Sequence, residues 1–167
     1  MNANASLEVV SKPELRDATA RVLTIDCIRA YDHNPRRSEN PEYLRIKASI
    51  RAQGMDRPLV VTQRPGDMDY LIYAGGNTCL RILQELYKET GDKAFHRVHC
   101  LVMPWKEESD VLLAHLREND LRGDLTFIDR AQAVLEAKQL LLAELGTPEI
   151  SQRQLETLFR ERGYGVS

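Results

Sequence analysis

Two glycines followed by two polar side chains stand between a predicted strand and a predicted helix. Gly75 and Gly76 follow the apolar residues 70–73, and Asn77 and Thr78 lead into a helical repeat of leucines. Glycine lets a backbone approach an anion closely, and the first amides of a helix have no intrahelical acceptor. The pattern predicts a phosphate-binding turn, although a tight strand-to-helix connection requires glycine for steric reasons alone.

A second polar group lies at the end of another predicted helix. Glu118 and Asn119 offer a carboxylate and an amide oxygen, the kinds of ligand that Mg²⁺ prefers. Arg122 follows one turn later with a guanidinium that could contact phosphate oxygens. The other interpretation of these residues is a polar helix end without a ligand.

A third group consists of Arg36 and Arg37, which directly follow Asn34 and Pro35. Proline fixes its own backbone angle and could shape a turn that presents both arginines to DNA or another anion. The simpler interpretation is an exposed basic loop. Because the chain has 23 basic and 25 acidic side chains and a formal net charge of −2, any contact with nucleic acid must be local.

The surrounding sequence predicts the elements that carry these groups. Short runs rich in β-branched and apolar residues predict strands at 22–25, 58–62, 70–73 and 98–103, and amphipathic stretches predict helices between and after them. The second and third strands are separated by a short turn and should pair as a hairpin. This order predicts an α/β (mixed α+β) domain with a small mixed sheet flanked by helices.

Two of the helices have predicted inward faces. Asn40 is the predicted cap of a first helix, in which Leu44, Ala48 and Ile50 recur near helical spacing. Thr126 is the predicted cap of a long helix near the C-terminus. The predicted inward-facing residues of that helix are Phe127, Ala131, Val134, Leu135, Leu141, Leu142 and Leu145.

The elements divide the chain into three predicted parts. Residues 1–20 lack a sustained period and are expected to be a flexible lead-in, 21–124 form the α/β domain, and 125–167 form a helical extension. The last helix should begin at Ser151, with Gln154 completing a capping box. Three widely spaced cysteines indicate reduced thiols, and no apolar run could span a membrane, so a cytoplasmic protein is expected.

In their order and spacing these groups resemble the N-terminal domain of the ParB/Spo0J family, whose fold is shared with sulfiredoxin. The resemblance extends over about residues 22–165, and several motifs in one order are more specific than any single motif. It rests on Asn34-Pro35-Arg36-Arg37, on Ile50 to Gly54 followed by Pro58-Leu59-Val60-Val61, on the glycine turn, on Glu118-Asn119-Asp120-Leu121-Arg122, and on the helix from Phe127.

The resemblance implies a ligand and a role for each group. In that family the glycine turn and the Glu-Asn segment bind CTP with Mg²⁺, and the nucleotide closes a homodimer into a clamp on DNA. By resemblance the phosphates would be contacted by Gly75, Gly76, Asn77, Thr78, Arg122 and Arg36, the metal by Glu118 and Asn119, and DNA or another anion by Arg36 and Arg37.

This chain departs from the family in the glycine turn. The usual family sequence is Gly-Glu-Arg-Arg, whereas residues 75–78 read Gly-Gly-Asn-Thr, so one acid and two arginines are missing. Arginine forms the strong, bidentate contacts to phosphate, so weaker nucleotide binding and at most weak CTP hydrolysis are expected. The substituted turn resembles the branch of the family found in integrating conjugative elements.

The end of the chain resembles the start of the helix-turn-helix that follows this domain in the family. Residues 152–167 match its first helix and turn, and the second helix, which would enter the major groove, lies beyond the last residue. The resemblance implies a DNA-partition or maintenance protein of a chromosome, a plasmid or an integrated mobile element. Its partners would be DNA, a nucleotide and a ParA-type ATPase, at the bacterial nucleoid.

Three alternatives stay open. A sulfiredoxin-type enzyme needs a cysteine directly after the glycines, but Asn77 stands there and Cys79 lies two residues further along. A nucleotide-inactive protein-interaction module would keep the fold and lose the ligand. A metal-dependent nuclease would need clustered carboxylates and a base, for which the candidates are Glu118, Asp120, Asp124, His96 and His99.

Overall fold

The structure is a computed structural model that describes residues 17–123 and 125–165. Of the predicted lead-in, residues 1–16 lie outside this part, and Thr19 and Ala20 belong to the first strand. The elements are β1 (Thr19–Thr24), β2 (Ile28–Arg29), α1 (Tyr43–Gln53), β3 (Leu59–Thr62), β4 (Tyr70–Ile72), α2 (Asn77–Thr90), β5 (Arg97–Val102), α3 (Glu108–Arg122), α4 (Phe127–Leu145) and α5 (Gln152–Glu161).

The strands form one mixed sheet in the order β1-β5-β3-β4-β2. β3 and β4 are an antiparallel hairpin, β1 pairs antiparallel with β5, and the β3–β5 and β2–β4 pairs are parallel. The predicted mixed α/β fold and its hairpin are confirmed. Because β4 runs against β3, the chain leaves β4 at the N-terminal end of β3, where Tyr73 N donates to Val60 O at 2.8 Å. The glycine turn lies at this edge of the sheet.

Two apolar clusters divide the molecule. The first lies between the sheet and helices α1 and α2, and the second joins α3, α4 and α5. Tyr31 belongs to the second cluster although it follows β2, so the loop after β2 connects the two layers. No helix in the described residues is long and apolar enough to cross a membrane.

The buried face of α1 differs from the predicted one. Asn40 Oδ1 accepts a hydrogen bond from Glu42 N at 2.9 Å, and so it forms a turn before the helix, which begins at Tyr43. Tyr43 and Ile50 are buried as expected for residues seven apart, whereas Leu44 is 78% exposed. The inward prediction was therefore right for Ile50 and wrong for Leu44 and Ala48, which are both exposed. Leu44 lies about 100° around the helix from Tyr43.

The long helix α4 also presents a different face to the core. Its buried residues are Ala133, Ala137 and Leu141, spaced four apart, and the two alanines allow a neighbouring helix to approach closely. Phe127, Leu135 and Leu145, predicted to face inward, are 84%, 62% and 50% exposed. The prediction was wrong for these three because the small residues, not the largest ones, mark the contact with α3.

The start of α5 matches the predicted capping box. Ser151 Oγ accepts from Gln154 N, and Gln154 Oε1 accepts from Ser151 N at 2.9 Å. These bonds fix the helix so that Phe159 is fully buried and meets the Tyr164 ring edge-on, with 5.9 Å between the ring centroids. The capping box orients the extension against α3 and α4.

Replacing the cap should destabilise the extension measurably. For Ser151→Ala we expect a loss of about 1 kcal/mol in the free energy of unfolding, since an N-cap oxygen satisfies an amide that otherwise has no partner. Urea denaturation followed by circular dichroism measures this change. Ser151→Asp retains a capping oxygen and should restore most of the lost stability, and equal loss in both variants would contradict this role.

Candidate functional site

The glycine turn has a backbone that requires both of its glycines. Gly75 and Gly76 have φ values of 61° and 88°, in the left-handed region. A Cβ on Gly76 would come within 3.2 Å of Leu59 Cδ2, and a Cβ on Gly75 within 3.0 Å of Glu118 Cγ. The turn therefore lies tightly between β3 and α3, and the fold brings the first two sequence groups together.

The helix that follows the turn directs its free amides toward this place. Leu80 N bonds to Gly76 O at 2.9 Å, so the amides of the preceding three residues of α2 have no acceptor within the helix. Thr78 lies in that first turn and is half-buried. An anion held here would gain both unpaired N–H groups and the positive end of the helix dipole.

Asn77 has a role that its sequence position did not reveal. Its Oδ1 accepts a hydrogen bond from the backbone N of Tyr31 at 3.0 Å. The side chain thus ties the loop after β2 to the glycine turn, and this loop carries Arg36 and Arg37. Arg36 is half-buried and its backbone N donates to Asn34 Oδ1 at 3.3 Å, whereas Arg37 is exposed. The third sequence group is thereby anchored to the first.

The Asn77 contact can be tested by two variants, one that removes the acceptor and an isosteric one that keeps it. Asn77→Ala leaves Tyr31 N without its acceptor, and we expect a loss of about 1–2 kcal/mol in the free energy of unfolding. Asn77→Asp keeps an acceptor oxygen at the N-terminus of α2 and should lose less. Urea denaturation of both variants measures the difference. If Ala and Asp destabilise equally, the hydrogen bond does not hold the loop.

A buried aromatic stack contacts the segments on which the glycine turn rests. His115 of α3 is fully buried, and its Nε2 donates to Ile72 O at 3.0 Å, at the end of β4. Its ring stacks on Tyr31 with 4.7 Å between centroids and 3° between planes. Burial lowers the pKa of His115 to about 4, so the ring is neutral near pH 7. The helical pattern predicts an inward position for His115, as observed, but the sequence did not indicate a part for it in the site.

The residues predicted to bind a metal lie one turn beyond His115. Glu118 Oε1 pairs with Arg122 Nη2 at 2.6 Å, and the Arg122 side chain is 56% exposed. Asn119 Nδ2 donates to His115 O at 2.8 Å, so the amide nitrogen rather than the oxygen is engaged. Glu118 lies beside the glycine turn, and the Asn119 amide oxygen is not used in this bond. Both residues thus keep oxygen atoms suited to a hard cation.

The cysteine of α2 has no features of a nucleophile. Cys79 is half-buried, and this burial raises the pKa of its thiol despite the nearby Arg122. A protonated thiol is a weak nucleophile at neutral pH. This weighs against the sulfiredoxin-type alternative.

Among the residues considered for a nuclease, those that the structure describes do not form a common site. His96 Nε2 pairs with Asp26 at 2.6 Å, and His99 is exposed on β5. Asp120 is held by Arg130 at 2.9 Å and by the Tyr164 hydroxyl at 2.7 Å. The remaining candidate, residue 124, lies outside the described residues. Among the described residues, the acidic and histidine side chains near enough to share an ion are Asp32, His33 and Glu108.

A cavity opens at the same edge of the sheet as the glycine turn. It has a volume of about 340 Å³, and Leu59, which also contacts the turn, forms part of its wall. The wall is apolar at Leu83, Phe95 and Val98, and Arg57 lies at its rim. Such a cavity could take a planar, apolar group of a ligand whose anionic part lies on the turn.

This sheet, with its glycine turn closed by α3, defines the ParB N-domain fold, and the predicted fold is confirmed by solved structures. A pNOB8-like ParB N-domain superposes with a TM-score of 0.62 and 16% identity, over 87% of this chain and 62% of that chain. A second structure of a pNOB8-like ParB N-domain gives 0.61 and 17%, over 87% and 57%. The chain thus spans about three fifths of the length of these two.

A third similar structure is the C-terminally truncated chromosome-partitioning protein ParB from Caulobacter crescentus, complexed with CTP-γ-S. It has a TM-score of 0.50 and 21% identity, over 85% of this chain and 77% of that chain. No protein-family model matches the chain, and no curated protein matches it in sequence. At these identities the likeness is one of fold.

Proposed function

We propose that this chain is the nucleotide-binding domain of a ParB-like protein that partitions or maintains a chromosome, a plasmid or an integrated mobile element. One observation carries the proposal: Gly75 lies against Glu118, within a fold shared with a ParB that was solved with CTP-γ-S. A left-handed glycine turn, a helix N-terminus and a carboxylate together suit a nucleotide bound with a cation.

The triphosphate would lie on the first turn of α2. There the unpaired amides, the Thr78 hydroxyl and Arg122 would contact its oxygens, and Glu118 and Asn119 would hold Mg²⁺, which neutralises phosphate charge. The heterocycle would enter the apolar cavity beside Leu59. Arg122 is already paired with Glu118, and Mg²⁺ bound to Glu118 would free the guanidinium to contact phosphate. We therefore expect nucleotide binding to require Mg²⁺.

Through the loop after β2, a nucleotide bound at the glycine turn would also affect Arg36 and Arg37. Asn77 joins this loop to the turn, so a nucleotide that orders α2 also orders Arg36 and Arg37, which we propose contact the nucleotide or DNA. α5 would begin the helix-turn-helix of the whole protein. On this proposal the protein is a cytoplasmic, nucleoid-associated homodimer that closes on DNA, works with a ParA-type ATPase and hydrolyses CTP weakly at most.

Equilibrium binding of the four ribonucleoside triphosphates, with and without Mg²⁺, tests the proposal. We expect CTP to bind selectively and only with Mg²⁺, and Arg122→Ala to weaken binding at least about 10-fold. Arg153→Ala, which removes a cation from the exposed face of α5, should bind as the original chain does. A folded chain that binds none of the four, or all four equally, would favour the nucleotide-inactive interaction module.

A further inference from the structure

A second group of charged side chains lies where the sheet meets the helical layer, separate from the glycine turn. Asp32 and His33 come from the loop after β2, and Glu108 is the first residue of α3. One ligand atom from each lies within 4.8 Å of the other two. A nitrogen and two carboxylates at this spacing are a donor set that first-row transition metals accept.

His33 is oriented as a metal-binding histidine would be. Its Nδ1 pairs with Glu136 of α4, which leaves Nε2 as the other ring nitrogen. Nε2 lies 3.9 Å from Asp32 Oδ2, too far for a hydrogen bond. Two ligands of a tetrahedral Zn²⁺ ion are roughly 3.3 Å apart, so these two side chains would move closer together to bind one. Histidines that bind metals commonly donate their second N–H to a carboxylate in this way.

Tyr31 gives an independent indication of a ligand. The residue is 2% exposed, and its hydroxyl is buried beside the Glu108 carboxylate without a well-formed hydrogen bond to any described residue. A buried hydroxyl that is so weakly held is costly, and an ion or its bound water would satisfy it.

Arg64 is the cation that now neutralises the carboxylates. Its Nη2 donates to Asp32 Oδ1 at 2.7 Å and to Glu108 Oε1 at 2.6 Å, and its Nε donates to Glu108 Oε2 at 2.9 Å. Two carboxylates therefore share one guanidinium. The guanidinium carbon is also 6.0 Å from the centre of the Trp105 ring, so an arginine displaced from the carboxylates has an aromatic face to occupy.

We propose that Asp32, His33 and Glu108 bind a divalent first-row transition ion of the Zn²⁺ class, with Arg64 taking its place when the ion is absent. The ion would join the loop after β2 to α3 and, through His33 and Glu136, to α4. Because an imidazole nitrogen favours Zn²⁺ over Mg²⁺, this site would be chemically distinct from the oxygen-only site at Glu118 and Asn119.

Titration of the metal-free chain with Zn²⁺ tests the proposal, with calorimetry and tryptophan fluorescence as readouts. Trp105 is the single tryptophan, so displacement of Arg64 should change its emission in step with heat release. We expect one saturable site, with His33→Ala weakened at least about 10-fold and Glu136→Gln weakened about 10- to 100-fold. His99→Ala, which removes an exposed histidine elsewhere, should leave the titration unchanged.

Arg64→Gln separates metal binding from a simple ion-pair network. Removing the competing guanidinium should tighten Zn²⁺ binding several-fold, whereas a purely structural network predicts no Zn²⁺ response in any variant. The proposal is overturned if no saturable Zn²⁺ binding is observed. It is also overturned if His33→Ala titrates like the original chain, because Zn²⁺ bound by the cysteine thiols would not depend on His33. Nucleotide binding is measured on the same variants. Since Arg122→Ala should retain the Zn²⁺ site, the two proposals can fail separately.

Discussion

Lowering the pH from 7 to 4 should reduce the free energy of unfolding by about 3 kcal/mol through His115 alone. The folded pKa of about 4 lies below the ordinary value of 6.5, so the unfolded chain binds more protons between these values. Stability from a neutral buried histidine is complete above pH 6.5 and is lost as the pH falls through this window. The cause is burial, since protonation would place a charge in the core.

A neutral variant isolates this contribution from the carboxylates that titrate nearby. His115→Gln keeps an N–H that can donate to Ile72 O but has no ring to protonate, so its stability should change less between pH 6.5 and pH 4 than that of the original chain. Urea denaturation at closely spaced pH values measures both curves. Parallel curves across this window would show that His115 does not carry the dependence.

Loss of the neutral ring should also affect the candidate site. His115 contacts the end of β4 through Ile72 O and the loop after β2 through the Tyr31 ring, the two segments that Asn77 also joins. A proton on His115 would therefore loosen the support of the glycine turn before the whole domain unfolds. We expect CTP binding to weaken as the pH falls toward 4, where the folded chain takes up this proton, and to weaken less in His115→Gln.

The sequence predicted what local chemistry determines. Two adjacent glycines between a strand and a helix predicted a tight turn, and Ser151 with Gln154 predicted a cap, because each depends on residues within a few positions. The hairpin followed from a short turn between apolar runs. The resemblance in motif order went further, since it indicated that Gly75 and Glu118 belong to one site, and the fold brings them together.

What could not be predicted depends on partners far along the chain. Asn77 bonds to Tyr31, 46 positions away, and His33 pairs with Glu136, 103 positions away, and no local pattern indicates either contact. The face of α4 was mispredicted for a related reason. Phe127 is a stronger apolar signal than Ala133, but the close approach of α3 selects the small residue.

Gly75→Ala should abolish nucleotide binding or weaken it more than about 10-fold while leaving the domain folded. The left-handed backbone costs an alanine about 1–2 kcal/mol, and its Cβ would come within 3.0 Å of Glu118 Cγ. Glu118 must then move away from the turn and take Arg122 with it. The variant thereby displaces a metal ligand and a phosphate contact, without removing either side chain.

Gly146→Ala is the matched control, because it separates backbone strain from the contact with Glu118. Gly146 has φ of 65°, close to the 61° of Gly75, but a Cβ there meets no atom within 4 Å. Both variants should lose similar stability in urea denaturation, and only Gly75→Ala should lose affinity for CTP and Mg²⁺. If both retain the original affinity, the glycine turn does not bind the phosphates. If both lose it equally, the loss reflects strain and not the approach of Glu118 to the turn.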